Sequence, residues 1–458
     1  MKPVDLAQKA VQLCRQRGAS EAEALVVGKR ERALQAFGGE TALNGASDTT
    51  RITLRVFNKH NGAIISGRGA TEQVLDSLVA QAVDLSRQTS KDKFLGLADP
   101  KQLGKLSGDL GIFDQSLVEI SPDDMQQIVS RLQSAIVEKD ARLGSLISST
   151  FQVNVQEVAL CTSENYCESY QTTSATLGAN AVLDNDFVSV NAEAASNESG
   201  KLAAGSNLSS RTLAGLKMDQ LVDRTISKLS QKTGARPASS GWFPVVFAPT
   251  AARSLASILL QFCSGPVAMY LEGSYFGKVG EQVCSPLVTL VDDPLRVGGP
   301  RTIPFDHEGV VPRRKVIIEK GVFNEYLLNA YYGRTLALGS TGNAVSNEDI
   351  RMGVAASNAY IEAGSATPES ILSEVRQGFY VTRLMSRAMP LGSNFTQAAT
   401  GIWIENGQLT HAVRAAVISA PLGETFKSIV ACGNDVESDA ALSAPTLMVS
   451  KMNISALA

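Results

Sequence analysis

The sequence predicts an α+β fold, with an N-terminal half of two helix–strands–helix lobes and a C-terminal β-rich domain built on an extensive curved or barrel-like sheet. Three observations carry this. Helical periodicity opens and closes two successive blocks ahead of residue 235. Alternating runs separated by Gly-containing turns dominate from residue 240 onward. The composition, 44% hydrophobic and 19% charged over 458 residues, leaves ample material for a core, and the mixed signals exclude an all-α or all-β chain.

Residues 1–18 read as an amphipathic helix, with Val4, Ala7, Val11 and Cys14 on one stripe and Gly18 as its stop. Residues 22–37 and 50–66 read as strands; Ile52, Leu54 and Val56 alternate, and Asn61 and Gly62 are placed at a hairpin turn. Residues 71–88 return to helix through Val74, Leu78, Ala82 and Leu85. Residues 90–115, rich in Gly, Lys and Asp, read as a loop that closes a first lobe over 1–115.

A second lobe, 116–235, opens at Ser121, Pro122, Asp123 and Asp124. Serine caps a free N–H, proline fits the first turn, and acids favour the positive helix end. That helix is expected to run to about residue 142. Strands follow over 146–194, with polar turns near 163–165 and 183–185, and a helix over 216–232 closes the lobe. After a linker at 232–237, the C-terminal domain, 240–458, starts with a buried strand at 242–249 and a helix from Thr250. Residues 314–328 and 400–413 alternate like hairpins around Lys320 and Gly321, and around Asn406 and Gly407.

Charge and composition exclude several functions. Net charge is −3, and the largest basic cluster, Arg313, Arg314 and Lys315, reads as a solvated strand end. Duplex binding needs a basic patch that releases counterions, so no nucleic-acid partner is expected. Asp5, Lys9, Arg15 and Arg17 interrupt any signal-like apolar core, and no run approaches the roughly 18 apolar residues of a membrane span. The expectation is a cytosolic protein without a membrane partner. The cysteines (Cys14, Cys161, Cys167, Cys263, Cys284 and Cys432) form no CxxC and are expected as unpaired small side chains. His60, His307 and His411 lie too far apart to make a local metal motif.

The stretch FCSGPVAMYLEG, residues 262–273, breaks an otherwise strong apolar helix at Ser264, Gly265 and Pro266. Proline inside a helix costs about 3 kcal/mol, so the break calls for a reason. The segments PFDHEGVVPRRKVIIEKGVFNEYL, LGSTGNA, GIWIENGQ and CGNDVE bear on it. They follow one another in the order seen in TldD/PmbA proteins, cytosolic proteins once called modulators of DNA gyrase, and the chain resembles that family from about residue 240 onward. STGNA (340–344) and WIENG (403–407) resemble the PmbA/TldE branch more than the TldD branch.

The resemblance implies a TldD chain paired with a TldE chain in a zinc metalloprotease that acts on unfolded or linear peptides. The TldD chain carries HExxxH ahead of Leu-Glu-Gly, so that two imidazoles hold zinc and the glutamate is base toward the zinc-bound water. A cysteine near its C-terminus is the third ligand. Set against Leu271, Glu272 and Gly273, the first histidine falls on Ser264, the glutamate on Gly265 and the second histidine on Met269. Serine is a poor zinc ligand, glycine cannot be a base, and a thioether does not suit Zn²⁺. The resemblance therefore implies the non-catalytic TldE-like branch, with no metal or catalytic residue in this chain and zinc in a TldD-type partner. Cys432 stands where the TldD pattern has its cysteine, but a lone thiolate holds zinc weakly, and a buried small side chain is expected.

Asp306, His307, Glu308 and Gly309 have two readings: a metal or acid–base site, or a polar turn entering a strand at Val310. On a strand, Asp306 and Glu308 would converge while His307 points away. By resemblance, these residues are structural or line a peptide. Ser264 lacks a nearby histidine for a nucleophile role. Ser340, Thr341, Gly342 and Asn343 lack the lysine of a phosphate loop and are expected to let backbone approach another chain or a peptide laid along a strand edge. Asp292 and Asp293 read as plain strand and turn residues. Three roles result: partner subunit of a TldD-type protease, stand-alone homodimeric peptide-binding module, or modulator of DNA gyrase through protein contacts.

Overall fold

The computed structural model describes residues 1–37, 40–140, 143, 147–183, 202–230, 235–270, 279–346, 352–385, 394–437 and 439–456. The first half runs α1 (Pro3–Gln16), β1 (Glu21–Phe37), β2 (Glu40–Asn58), β3 (Asn61–Arg68), α2 (Glu72–Gln88), α3 (Gln115–Glu119), α4 (Pro122–Lys139), β4 (Ile147–Thr162), β5 (Cys167–Leu183), β6 (Leu202–Ser210) and α5 (Met218–Ser230). The second half opens with β7 (Gly241–Phe247), α6 (Pro249–Phe262), α7 (Gly265–Tyr270), β8 (Leu290–Asp292), β9 (Lys315–Glu319), β10 (Val322–Phe323), α8 (Ala330–Thr335), β11 (Ala344–Ser346) and β12 (Met352–Val354). It continues with β13 (Ala359–Ile361), α9 (Pro368–Ser373), β14 (Gln377–Leu384), β15 (Asn394–Glu405), β16 (Gln408–Pro421), α10 (Leu422–Lys427), β17 (Ile429–Cys432), β18 (Leu442–Ser443) and β19 (Leu447–Ala456).

The two helix–strands–helix blocks share one six-stranded sheet, ordered β3-β2-β1-β4-β5-β6, because β1 pairs with β4 as well as β2. Side chains alternate across its faces. One face (Ala22, Ala24 and Val26 of β1, Ile52 and Leu54 of β2) buries against α1 and α2, and farther along it Phe151 and Leu177 bury against α4 and α5. The opposite face carries Glu23, Leu25, Val27 and Lys29 and meets the C-terminal half through Phe305, which packs edge-on to Tyr166 and Tyr170. Ser121 caps α4 with Asp124 in the reciprocal box that the sequence predicts in outline.

In the C-terminal half, the order β16-β15-β14-β7-β19-β17 closes on itself where β16 also pairs with β19, giving the predicted barrel from five strands. Val245, Phe247, Phe379, Val381, Met452 and Ile454 join α6 in one large core. Each fully buried side chain of this kind contributes about 1.5–3 kcal/mol of transfer free energy. A second sheet, β10-β9-β8-β13-β18, and the β11-β12 ribbon flank the barrel.

Several expectations are corrected. The β2–β3 turn is Lys59 and His60, not Asn61 and Gly62: Asn58 pairs with Asn61, and Lys59 takes φ 60°. The helix from Ser121 ends at Lys139. Cys161 and Cys167 are joined in a disulfide, because β4 and β5 place them opposite each other in register. Lys315 is fully buried rather than solvated, and Asp292, its ion-pair partner at 3.3 Å, is more than a plain strand residue. Residues 184–185 of the expected turn at 183–185 and residues 232–234 of the 232–237 linker lie outside the described residues.

Candidate functional site

The interruption after α6 is a tight junction between two helices. Cys263 caps α6, and Ser264 turns back on it, donating from both its backbone N–H (3.1 Å) and its Oγ (2.7 Å) to the Gln261 carbonyl. The chain then pairs sideways: Leu327 N–H donates to the Cys263 carbonyl at 2.7 Å, and Gly265 N–H donates to the Leu327 carbonyl at 2.9 Å. Pro266 falls in the first turn of α7, where an N–H has no helical partner to lose. A Cβ on Gly265 would lie 2.6 Å from Tyr332 Cβ and 2.8 Å from Leu328 Cδ2. Glycine is what lets α8 sit on the junction.

These residues do not fit a zinc ion. The Ser264 hydroxyl is spent on a carbonyl, Gly265 has no room for a side chain, and Met269, half-buried on α7, offers only a thioether. Leu271, Glu272 and Gly273 lie outside the described residues. Cys432 ends β17 and belongs to the same core as Cys263, but its Sγ–H points to the Glu362 carbonyl at 3.5 Å. Burial raises its thiol above the usual range, which disfavours the thiolate a metal needs. Among the described residues, no group of three or more His, Cys, Asp and Glu side chains is arranged to hold a metal.

Asp306 to Gly309 form a turn and not a strand, so the expected convergence of Asp306 and Glu308 is replaced by divergence. Asp306 Oδ1 accepts from the Glu308 and Val310 N–H groups at 2.9 Å, and Oδ2 accepts from Ala344 N–H at 2.9 Å. Burial, then the nearby Glu308, raises the Asp306 carboxyl to about 7. Glu308 leaves the turn for the N-terminal sheet. Its Oε1 accepts from Arg55 Nη1 at 2.5 Å and its Oε2 from Ala330 N–H at 2.7 Å, while Arg55 also holds Glu23 at 2.8 and 2.9 Å. Gly309 takes φ 81° against Tyr166. His307 Nδ1 accepts from Ser346 N–H at 2.7 Å, leaving the ring proton on Nε2.

The 340–343 loop serves the same architecture. Thr341 Oγ1 accepts from Leu328 N–H at 2.7 Å, one residue beyond the tie to Gly265, so Leu327 and Leu328 link two predicted sites. Asn343 donates to Asp292 at 2.9 Å, Lys315 donates to the Thr341 carbonyl at 3.2 Å, and the Ser340 carbonyl accepts from Gln102 at 3.0 Å. Gly342 permits close approach, but to Pro312 of its own chain, whose Cα would be 2.7 Å from an added Cβ. Asp306, Gly342 and Asn343 then border a cleft of about 570 Å³ between the two halves. Sequence reasoning missed Glu23, Arg55 and Gln102; a charged pair at strand positions on the apolar sheet is the only local signal.

Fold and site together define a mixed α/β chain with a five-stranded barrel in its C-terminal half and a glycine-tight junction between α6 and α7. Residues 240–456 match the PmbA/TldA metallopeptidase C-terminal domain, and through that domain the chain resembles the PmbA/TldD family. It is 26% identical over 411 residues to the protein named Metalloprotease PmbA of Escherichia coli O157:H7, covering 88% of this chain and 85% of that one. In fold it is similar to TldE from Thermococcus kodakarensis, with a TM-score of 0.83, 19% identity and coverage of 98% and 100%. It is also similar to a Bacteroides thetaiotaomicron protein that carries a gyrase-modulator name, with a TM-score of 0.86, 21% identity and coverage of 99% and 98%. Among the described residues, no helix is long and apolar enough to cross a membrane.

Proposed function

We propose that this chain is the zinc-free, TldE-like subunit of a TldD-type heterodimeric metalloprotease that acts on unfolded or linear peptides in the cytoplasm. The observation that carries this reading is Gly265. It stands where the TldD pattern has its glutamate, and α8 occupies the space that any side chain there would need. With Ser264 and Met269 at the histidine positions, the partner supplies zinc, imidazoles and base, and this chain supplies shape and binding surface. The test is to purify this chain and a TldD-type subunit separately, mix them, and follow cleavage of an unfolded peptide. Cleavage is expected only in the mixture, with the two chains co-eluting. Cleavage by this chain alone at the mixture's rate overturns the proposal. A symmetric self-dimer that ignores the TldD-type chain would instead favour a stand-alone peptide-binding module.

A further inference from the structure

The cleft between the two halves has a floor and a roof of different origin. Its floor is the outward face of the N-terminal sheet, where Val27 lies opposite Arg51 and Val158, and Lys29 opposite Thr49 and Gln156. Its roof is formed by C-terminal segments around Pro300, His307 and Ser346. Among the described residues, five cations line it, Lys29, Arg51, Arg68, Arg211 and Arg301, against one carboxyl group, Asp306. Both Asp306 oxygens already accept backbone N–H groups, so that carboxyl is committed to its own turn.

Arg51 lies directly opposite Arg68 in the β2–β3 register, which concentrates positive charge on the cleft floor. Lys29 is paired with Glu31. Among the described residues, the Arg211 guanidinium bonds only neutral acceptors, the Gly299 carbonyl at 3.3 Å, the Pro300 carbonyl at 2.6 Å, the Thr173 carbonyl at 3.4 Å and the Thr172 hydroxyl. Arg301 donates to the Ala356 carbonyl at 3.3 Å. His307 adds a neutral Nε2–H donor, fixed by the Ser346 bond to Nδ1.

We infer that this cleft binds carboxylates of a peptide, from acidic side chains or a free C-terminus; the inference rests on the peptide-handling role proposed above and names the class of peptide favoured. Single-stranded nucleic acid is the weaker match. Such sites offer aromatic faces for bases to stack on, whereas Tyr170, the one Phe, Tyr or Trp among the described lining residues, is packed edge-on against Phe305.

The test is fluorescence anisotropy of a dye-labelled, glutamate-rich short peptide with a free C-terminus, titrated with the full chain alone. Arg68→Gln and Arg301→Gln remove exposed side chains, and thermal unfolding checks that both variants stay folded. Each is expected to weaken binding about tenfold, the loss of roughly one charge-assisted contact. An amidated peptide with glutamine for glutamate is expected to lose binding, and added salt to weaken it. Equal binding of the neutral peptide, indifference to both arginine variants, or engagement of the arginines only by inorganic phosphate or a single-stranded oligonucleotide overturns the inference. No partner is present in this assay, so its failure leaves the zinc-free subunit reading to the mixing experiment.

Discussion

Arg55 donates to Glu308 at 2.5 Å across 253 residues of sequence, while the same guanidinium grips Glu23 on the neighbouring strand. All three side chains are buried, so the junction between the halves is an ionic latch of one cation and two carboxylates. Burial pushes Glu23 up and works against the Arg55 charge, yet the two carboxylates hold the guanidinium protonated. Breaking a buried pair by removing one partner costs about 3–5 kcal/mol, because the remaining charge stays uncompensated. Arg55→Met, which strands both acids, is expected to lower the stability derived from urea unfolding by that order. Glu308→Gln, which keeps one acceptor oxygen and leaves Arg55 paired with Glu23, is expected to cost less. The reverse order in urea melts would show that the latch does not carry the junction.

His307 carries a pH dependence. Burial lowers its pKa to about 4, from an ordinary value of 6.5, and the Ser346 N–H aimed at Nδ1 requires that nitrogen unprotonated. A base whose folded pKa lies below its unfolded value contributes stability above the unfolded pKa and loses it as pH falls through the folded one. The His307 contribution is therefore expected to be lost as pH falls from about 6.5 to 4, so the thermal midpoint of the unsubstituted chain drops relative to that of His307→Gln across that window, whatever the opposite-signed contribution of Asp306 common to both. Parallel profiles for the two proteins would refute the assignment.

Gly265→Ala tests the close approach of α8. The added methyl would press on Tyr332 Cβ at 2.6 Å, and forcing a methyl group into a packed site typically costs about 1–3 kcal/mol. A drop of that size in denaturant-derived stability is expected. No drop would mean that α8 moves freely and that the site could hold a larger side chain.

Cys432 is expected to behave as packing. Its raised thiol pKa and its bond to the Glu362 carbonyl predict slow alkylation by iodoacetamide in the folded chain. Cys432→Ala is expected to leave cleavage by the mixture with a TldD-type subunit unchanged. Loss of that cleavage in a folded variant would restore a metal or catalytic role to the thiol.

Much of the fold was legible because local signals agreed with the global structure. The Ser121 cap, the alternation of Ile52, Leu54 and Val56, and the Asn406 and Gly407 turn with φ 48° and 79° all appear where periodicity and turn chemistry put them. The β2–β3 turn went astray because Lys59 accepts a positive φ that glycine would take more readily. The disulfide escaped because it depends on β4–β5 register, which a residue count does not supply. At the candidate sites, sequence identified the 306–309 and 340–343 segments but not what they hold. Glu308 needs Arg55, and Thr341 needs Leu328, and neither pairing leaves a trace in spacing. The cationic cleft was invisible for the same reason: its five charges come from separate segments, while the one visible cluster loses Lys315 to the core.

The central claim is that this chain holds no zinc of its own. Metal analysis of the purified full chain, loaded with excess zinc and dialysed without chelator, tests it most directly, with a TldD-type subunit treated in parallel as the positive control. A zinc content far below one ion per chain is expected here and close to one ion in the control. A tightly retained, near-stoichiometric zinc in this chain, lost on replacing Ser264, Met269 or Cys432, would contradict it.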